Sequence, residues 1–214
     1  MKGFDQVMRL GDLIPARETT GSSLILQEKG NYLFALERGA RGASTVYCYG
    51  LGGHKREGET WIECAEREAQ EELGTRIELL SSKVTYYMNR HGELEKIGVD
   101  EEVIPLLLFE MVFPAEASWN PRNEGWIYYI VAYRARLCQA PAPLDIEGLI
   151  SLSEAQIRQT AEGEVTLGNL LDDGARLWEK EPIAREAKLT PVGTAWALSR
   201  LLAQEITLEG MRKG

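Results

Sequence analysis

The segment GLGGHKREGETWIECAEREAQEELGT, residues 50–75, decides the fold class of this chain. It begins with a glycine-rich turn, continues through a charged loop and enters a run of good helix formers that contains no glycine or proline. Thr60 and Glu63 have the spacing of a capping box, and Gly74 stands where a C-cap glycine ends a helix. The segment therefore predicts a loop that leads into a helix over Glu59–Leu73.

Three glutamates of this predicted helix, Glu68, Glu71 and Glu72, follow an i, i+3, i+4 spacing. At roughly 100° per residue their side chains fall on one helix face. Crowded carboxylates repel one another, and a hard cation such as Mg²⁺ or Mn²⁺ would relieve the repulsion. Taken alone, the same pattern also fits a solvated acidic face.

The wider spacing of the charged residues and glycines favours the metal-binding interpretation. It resembles the Nudix box, G-x5-E-x7-R-E-U-x-E-E-x-G-U with U apolar, at Gly53, Glu59, Arg67, Glu68, Glu71, Glu72 and Gly74. Ala69 and Thr75 are weak occupants of the apolar positions, and Leu51 stands where many members have proline. These departures affect packing and loop stiffness, and none removes a charged group.

The resemblance to the Nudix (MutT-like) hydrolase family implies a metal-dependent enzyme. Its expected reaction is cleavage of a diphosphate linkage in a nucleoside diphosphate linked to another moiety, or in a related small phosphorylated metabolite, by metal-activated water. It implies that Mg²⁺ or Mn²⁺ is held by Glu68, Glu71, Glu72 and the carbonyl of Gly52, with Arg67 and Glu59 as supporting residues of the catalytic site. Arg38 and His54 are candidate substrate-binding residues, although surface positions would explain both equally well.

A general base is also expected. Glu72 is one candidate and Glu147, before a predicted short strand, is another. Glu110 and Glu124 are weaker candidates, and the sequence does not choose among them.

The predicted fold is α/β (α+β), a Nudix-like α/β/α sandwich with a mixed β-sheet and extra C-terminal helices. The whole chain, residues 1–214, is expected to form a single domain with a core at about 21–161 and a helical extension over 162–214. β-Branched and aromatic residues predict strands at Ser22–Gln27, Tyr32–Glu37, Val46–Leu51, Val103–Phe113 and Trp126–Leu137. Further helices are predicted at Ser153–Ala161, Thr166–Lys180 and Pro191–Glu205, the last capped by Thr190.

Composition narrows the possible partners and location. The chain has 214 residues and a formal net charge of −9, so a nucleic-acid polymer is not expected as a partner. The apolar stretches are too short to span a bilayer as helices and no signal peptide is evident, so no membrane partner is expected. Three cysteines without a CxxC pair indicate a reducing, cytoplasmic location.

Several alternatives remain open. A homodimer is possible through the apolar C-terminal helix, although covering the sheet explains that helix better.

The main functional alternative is a non-catalytic Nudix-fold module that binds a nucleotide or has a regulatory role. A diphosphate isomerase would need a catalytic cysteine, and Cys48 and Cys138 lie in apolar strand patterns that predict burial. The long polar loop over Phe113–Gly125 is the expected source of substrate specificity.

Overall fold

Strands and helices account for most of the residues that the computed structural model describes, which are 7–16, 19–39, 44–113, 126–204 and 206. The helices are α1 (Leu10–Leu13), α2 (Trp61–Leu73), α3 (Glu154–Glu162), α4 (Leu167–Asp172) and α5 (Gly193–Ala203). The strands are β1 (Val7–Met8), β2 (Thr19–Glu28), β3 (Asn31–Arg38), β4 (Thr45–Tyr49), β5 (Leu51–His54), β6 (Ile77–Leu80), β7 (Thr85–Met88), β8 (Leu94–Val99), β9 (Leu107–Phe113), β10 (Trp126–Leu137), β11 (Gly148–Leu152), β12 (Val165–Thr166), β13 (Arg176–Glu179) and β14 (Lys188–Pro191).

The strands form a mixed sheet in the order β1-β8-β7-β9-β10-β2-β3-β4-β14-β12. Strand β5 pairs with β2, β6 pairs with β10, and β11 joins β3 to β13. The central pair β2–β10 is parallel, whereas β9–β10 and β2–β3 are antiparallel. The predicted α+β class with a mixed sheet is therefore confirmed.

Each face of the sheet is covered by helices. On one face, α2 packs its Ala65, Ala69 and Leu73 against buried residues of β2, β3 and β10. The opposite face is covered by α3, α4 and α5, with Leu198 and Leu201 of α5 fully buried. We call the face covered by α3 and α5 the C-terminal face. The sequence interpretation in which the last helix covers the sheet is confirmed.

The local signals in the sequence are confirmed where they are strongest. A two-residue turn joins β2 to β3, and its residues Lys29 and Gly30 both have positive φ, at 52° and 89°. In α2, Thr60 and Glu63 form the predicted capping box, and Gly74 ends the helix in the left-handed conformation. The two caps of α2 depend on neighbours along the chain, which is why the sequence alone predicts them.

Two predicted C-terminal helices were wrong in part. The helix expected over Thr166–Lys180 ends at Asp172, and Gly174 with φ of 92° leads into strand β13, which pairs with β11. The helix expected to begin at Pro191, with Thr190 as its cap, begins at Gly193. Residues Lys188–Pro191 pair instead with β4, so a long-range strand contact outweighs the local start signal.

Other expectations concern single residues and loops. Cys48 is buried as predicted, but Cys138 is exposed because β10 ends at Leu137. The strand expected from Val103 begins at Leu107.

Residues 114–125 of the proposed specificity loop, and with them Glu124, lie outside the described residues. No helix in the described ranges has the length and apolar character needed to cross a lipid bilayer.

Candidate active site

Glycines allow the loop around β5 to approach α2 and β2 closely. Gly52 has φ of 143°, and a Cβ atom there would lie 2.1 Å from the carbonyl oxygen of Ser22. A Cβ atom on Gly53 would lie 2.3 Å from Oε1 of Glu68. At Gly52 the clash is with backbone, so glycine is required there for the loop to lie against β2, whereas at Gly53 the clash is with the end of the Glu68 side chain.

Arg67 organises the carboxylates of the loop and helix. Its Nε donates to Glu59 at 2.7 Å, and its Nη1 donates to Glu68 at 2.6 Å and to Glu71 at 2.9 Å. Nη2 also donates to the backbone carbonyl of His54 at 2.9 Å. The guanidinium thus holds two carboxylates of the predicted metal-binding face and ties them to the loop.

Glu59 supports this arrangement from the loop side. Its carboxylate accepts from Arg67 and from the backbone N–H of Arg56 at 2.8 Å. The side chain is only 12% exposed, so the pair is shielded from solvent. The hydrogen bond from Arg67 is the main reason why the pKa of Glu59 falls to about 2, and the carboxylate stays ionised at neutral pH.

Glu72 is a partly buried carboxyl on the same helix face. Its Oε2 accepts from the backbone N–H of Gly52 at 2.8 Å. Burial raises its pKa to about 8, and the charges of Glu68, Asp145 and Glu71 act in the same direction.

The oxygen donors here suit a hard divalent cation. A cation next to Glu72 would replace repulsion among the carboxylates with attraction. Among the described residues, however, no three His, Cys, Asp or Glu side chains are arranged as a closed metal site. Glu68 and Glu71 accept hydrogen bonds from Arg67, and Glu72 accepts one from the N–H of Gly52. The expected ligands are therefore neighbours, but their oxygen atoms do not surround a single point.

Arg38 and Glu147, predicted separately, lie together. The backbone N–H and Nε of Arg38 donate to Glu147 at 2.9 and 3.1 Å, and its Nη2 donates to Glu181 at 3.1 Å. Hydrogen bonds from Arg38 lower the pKa of Glu147, which makes Glu147 a weaker base than Glu72. Burial raises the pKa of Tyr49, and the charges of Glu72, Glu37 and Glu147 act in the same direction.

His54 lies at the end of β5 beside an aromatic side chain. Its ring centroid is 4.7 Å from that of Tyr128, with the planes tilted by 32°. Partial desolvation lowers the pKa of His54 against the opposing charge of Glu68, so its neutral form is favoured. The contact places a neutral imidazole next to the carboxylates, where an aromatic or phosphorylated group could meet it.

Glu110 and Asp145 show the limits of sequence reasoning about the base. Glu110 is bound by the Tyr87 hydroxyl and by the backbone N–H of Arg90, so its oxygens are already engaged.

Asp145 was not singled out from the sequence, yet its charge acts on Glu72. It lies in the same loop as Glu147, and no spacing pattern links it to the box. Only the fold places that loop against the end of α2, where the N–H of Leu144 donates to the carbonyl of Glu72.

The mixed sheet, the glycine loop and the carboxylate-bearing helix define this protein as an α+β protein with an acidic helix face beside a glycine loop. The NUDIX domain family model matches residues 17–165, which is more than half of the chain. The chain therefore belongs to the NUDIX family and is a Nudix hydrolase. Members of this family generally use divalent metal ions and act on small phosphorylated substrates.

Several solved structures are similar to this chain, and two of the three that follow are named as NUDIX hydrolases. The E. coli ORF135 protein is 15% identical with a TM-score of 0.43, and the similarity covers 66% of this chain and 78% of that one. A NUDIX family hydrolase from Clostridium perfringens is 17% identical with a TM-score of 0.40, covering 66% and 85%. A MutT NUDIX hydrolase from Burkholderia pseudomallei is 17% identical with a TM-score of 0.40, covering 65% and 86%. No curated protein sequence matches the chain significantly.

Proposed function

We propose that this Nudix hydrolase cleaves a diphosphate linkage in a nucleoside diphosphate linked to another moiety, or in a related small phosphorylated metabolite. The observation that carries the proposal is the position of Glu72. Its carboxyl is held by the N–H of Gly52 and has a pKa near 8 next to Glu68 and Asp145. A purely structural acidic face would be solvated and would not bury one carboxyl among others.

The proposed cofactor is Mg²⁺ or Mn²⁺, held by Glu68, Glu71 and Glu72 with the Gly52 carbonyl as a further ligand. When bound, a divalent cation neutralises charge on the diphosphate oxygens and lowers the pKa of a bound water. The chain supplies the arrangement around it. Arg67 positions Glu68 and Glu71, Glu59 anchors Arg67, and the N–H of Gly52 orients Glu72.

Proton transfer is assigned to Glu72 in preference to Glu147. The Glu72 carboxylate lies beside the glycine loop and accepts from the N–H of Gly52, whereas the Glu147 carboxylate is already bound by the backbone N–H and Nε of Arg38. Glu147 and Arg38 are instead proposed to border the substrate, together with His54. A phosphate group entering there would compete with Glu147 and Glu181 for the guanidinium of Arg38.

The proposal extends to the organisation of the chain. We propose that residues 1–214 form a single domain in which the segment after Ala161 completes the fold. Leu167, Leu170 and Leu189 of that segment are buried in the core of the C-terminal face. The three free cysteines support a reducing, cytoplasmic location. A homodimer stays a prediction.

The test is a substrate screen with a matched pair of variants. Purified protein is incubated with nucleoside triphosphates, nucleotide sugars and dinucleotides, with Mg²⁺, Mn²⁺ or excess EDTA, and the phosphorylated products are identified. Glu71→Gln should lower kcat by at least about 100-fold. Glu66→Gln, an exposed change on the same helix, should leave it unchanged.

Each other outcome has a definite meaning. Cleavage that persists in EDTA, or in Glu71→Gln, would contradict the proposed metal site. If nothing is cleaved while a nucleotide still raises the unfolding temperature, the chain is a non-catalytic binding module.

A further inference from the structure

The glycine loop, residues 50–53, packs against the last helix as well as against α2. A Cβ atom on Gly50 would lie 2.5 Å from Cβ of Thr194 in α5 and 2.6 Å from Oγ of Ser23 in β2. Both atoms belong to short, buried side chains, so a side chain at Gly50 would force the start of α5 away from the loop. Glycine at this position is therefore required by α5.

Two buried hydroxyl groups join α5 to this loop. Oγ1 of Thr194 donates to Oγ of Ser23 at 2.7 Å, and Oγ of Ser23 donates to the carbonyl of Leu51 at 2.9 Å. Thr194 is 2% exposed and Ser23 is 4% exposed, so water does not compete for these bonds. A buried hydroxyl that loses its partner is costly, and the two bonds therefore hold the Leu51 carbonyl in place relative to α5.

The carbonyl of Leu51 belongs to the same peptide unit as the N–H of Gly52. That N–H donates to Oε2 of Glu72 at 2.8 Å. A peptide unit is planar, so its carbonyl and its N–H cannot rotate independently. The bond from Ser23 on one side of the unit thus sets the direction in which the N–H meets Glu72 on the other side.

Strand β2 holds the loop and its neighbouring helices from both faces of the sheet. Ser22 and Ser23 are adjacent in β2 and point to opposite faces. Oγ of Ser22 donates to the carbonyl of Trp61 at the start of α2, whereas Ser23 is bound from α5. The start of α5 is itself fixed beside the loop, because the N–H of Val192 donates to the carbonyl of Cys48 in β4 at 2.9 Å.

We propose that Thr194 is a positioning residue for the Leu51–Gly52 peptide and, through that peptide, for Glu72. It acts through Ser23, without a role in the chemistry itself. The effect on catalysis rests on the proposed function, whereas the effect on the peptide does not. Helix α5 follows residues 17–165, which the family model matches, so the C-terminal segment contributes to the site as well as to the core.

Amide hydrogen exchange in the metal-free protein, followed by NMR, tests the proposal. Thr194→Val keeps the shape of the side chain and removes its hydroxyl. The N–H of Gly52 should then exchange about 3- to 10-fold faster, the factor expected from the loss of one hydrogen bond. The N–H of Val131, which is buried in the central strand β10, should not change. Thr194→Ser restores the hydroxyl and should exchange as the wild type does.

Ser199→Ala is the matched control on the same helix. Ser199 is fully buried, and its Oγ donates to the carbonyl of Trp196 within α5 at 2.8 Å. This variant also removes a buried hydroxyl from α5, but it should leave the exchange of Gly52 unchanged. A control that accelerated Gly52 as much as Thr194→Val does would contradict a specific role for Thr194.

A titration with Mn²⁺ gives a second readout. Thr194→Val should weaken the affinity for Mn²⁺ several-fold, and kcat for a substrate from the screen should fall about 10-fold with little change in KM. Faster exchange of Gly52 with unchanged Mn²⁺ affinity would support the positioning role and contradict Glu72 as a metal ligand. The exchange result holds even if no substrate is cleaved, so the two proposals can fail separately.

Three results would overturn the inference. The first is an unchanged exchange rate at Gly52 in Thr194→Val. The second is equal acceleration at Gly52 and Val131, which would assign Thr194 to the packing of α5 alone. The third is exchange as fast in Thr194→Ser as in Thr194→Val, which would show that the hydroxyl is not the cause. If Thr194→Val does not fold, Thr194→Ala provides the same comparison.

Discussion

Gly53 and Glu68 lie so close that no side chain fits between them. A Cβ atom on Gly53 would be 2.3 Å from Oε1 and 2.6 Å from Cδ of Glu68. The same carboxylate is held from the other side by Arg67 at 2.6 Å. The position of Glu68, a proposed metal ligand, therefore depends on the absence of a side chain at Gly53 as well as on the ion pair with Arg67.

Gly53→Ala should impair catalysis with little effect on stability. The added methyl meets the end of a flexible side chain, so Glu68 can turn away at a cost below about 1 kcal/mol in the free energy of unfolding. Misplacing a ligand by about 1 Å should lower kcat by about 10- to 100-fold. Steady-state kinetics and thermal unfolding measure the two effects separately.

Gly163→Ala is the matched control, because nothing lies within 4 Å of a Cβ atom at that position. It should leave both activity and stability unchanged. A Gly53→Ala enzyme with full activity would show that Glu68 need not occupy its present position during the reaction.

Glu59 should contribute to stability in a pH-dependent way. Its pKa falls from 4.5 to about 2 on folding, so the folded state favours the ionised form. The contribution is fully present above about pH 4.5 and is lost as the pH falls toward about 2. Glu59→Gln should therefore be less stable than wild type near neutral pH, and this difference should shrink as the pH falls through that window.

Urea unfolding at a series of pH values measures this effect. Glu66→Gln, a change at an exposed glutamate of the same helix, provides the comparison. A deficit in Glu59→Gln that stays constant down to about pH 2 would rule out the ion pair with Arg67 as its cause.

The cysteines should differ sharply in reactivity. Cys48 and Cys64 are buried, and burial raises the pKa of both thiols, whereas Cys138 is exposed after the end of β10. Since the thiolate is the reactive form, exposed Cys138 should react rapidly with a thiol reagent in the native protein. Cys48 and Cys64 should react only on unfolding.

Mass spectrometry after brief alkylation identifies the modified residue. Cys138→Ser should remove the rapid reaction entirely. Rapid modification of Cys48 or Cys64 in native protein would mean that the sheet or the start of α2 opens more readily than this fold allows.

The parts of the site that the sequence predicted share one property, which is short separation along the chain. The capping box of α2, its C-cap glycine and the face shared by Glu68, Glu71 and Glu72 all depend on residues within a few positions of one another. The helix predicted over Thr166–Lys180 failed because β11 pairs with Arg176–Glu179 from far away in the chain. Local propensity is a weak guide wherever a distant strand competes for the same residues.

The sequence by itself determined the Nudix box, the helix that carries it and the family, because spacing along one helix places those side chains without further information. Only the tertiary structure decided that Asp145 acts on Glu72, that Glu147 and Glu181 share Arg38, and that Arg134 is buried. Each of these relationships joins residues from separate elements. Burial and charge at such sites depend on which elements pack together, and this packing is set by strand pairing across the whole sheet.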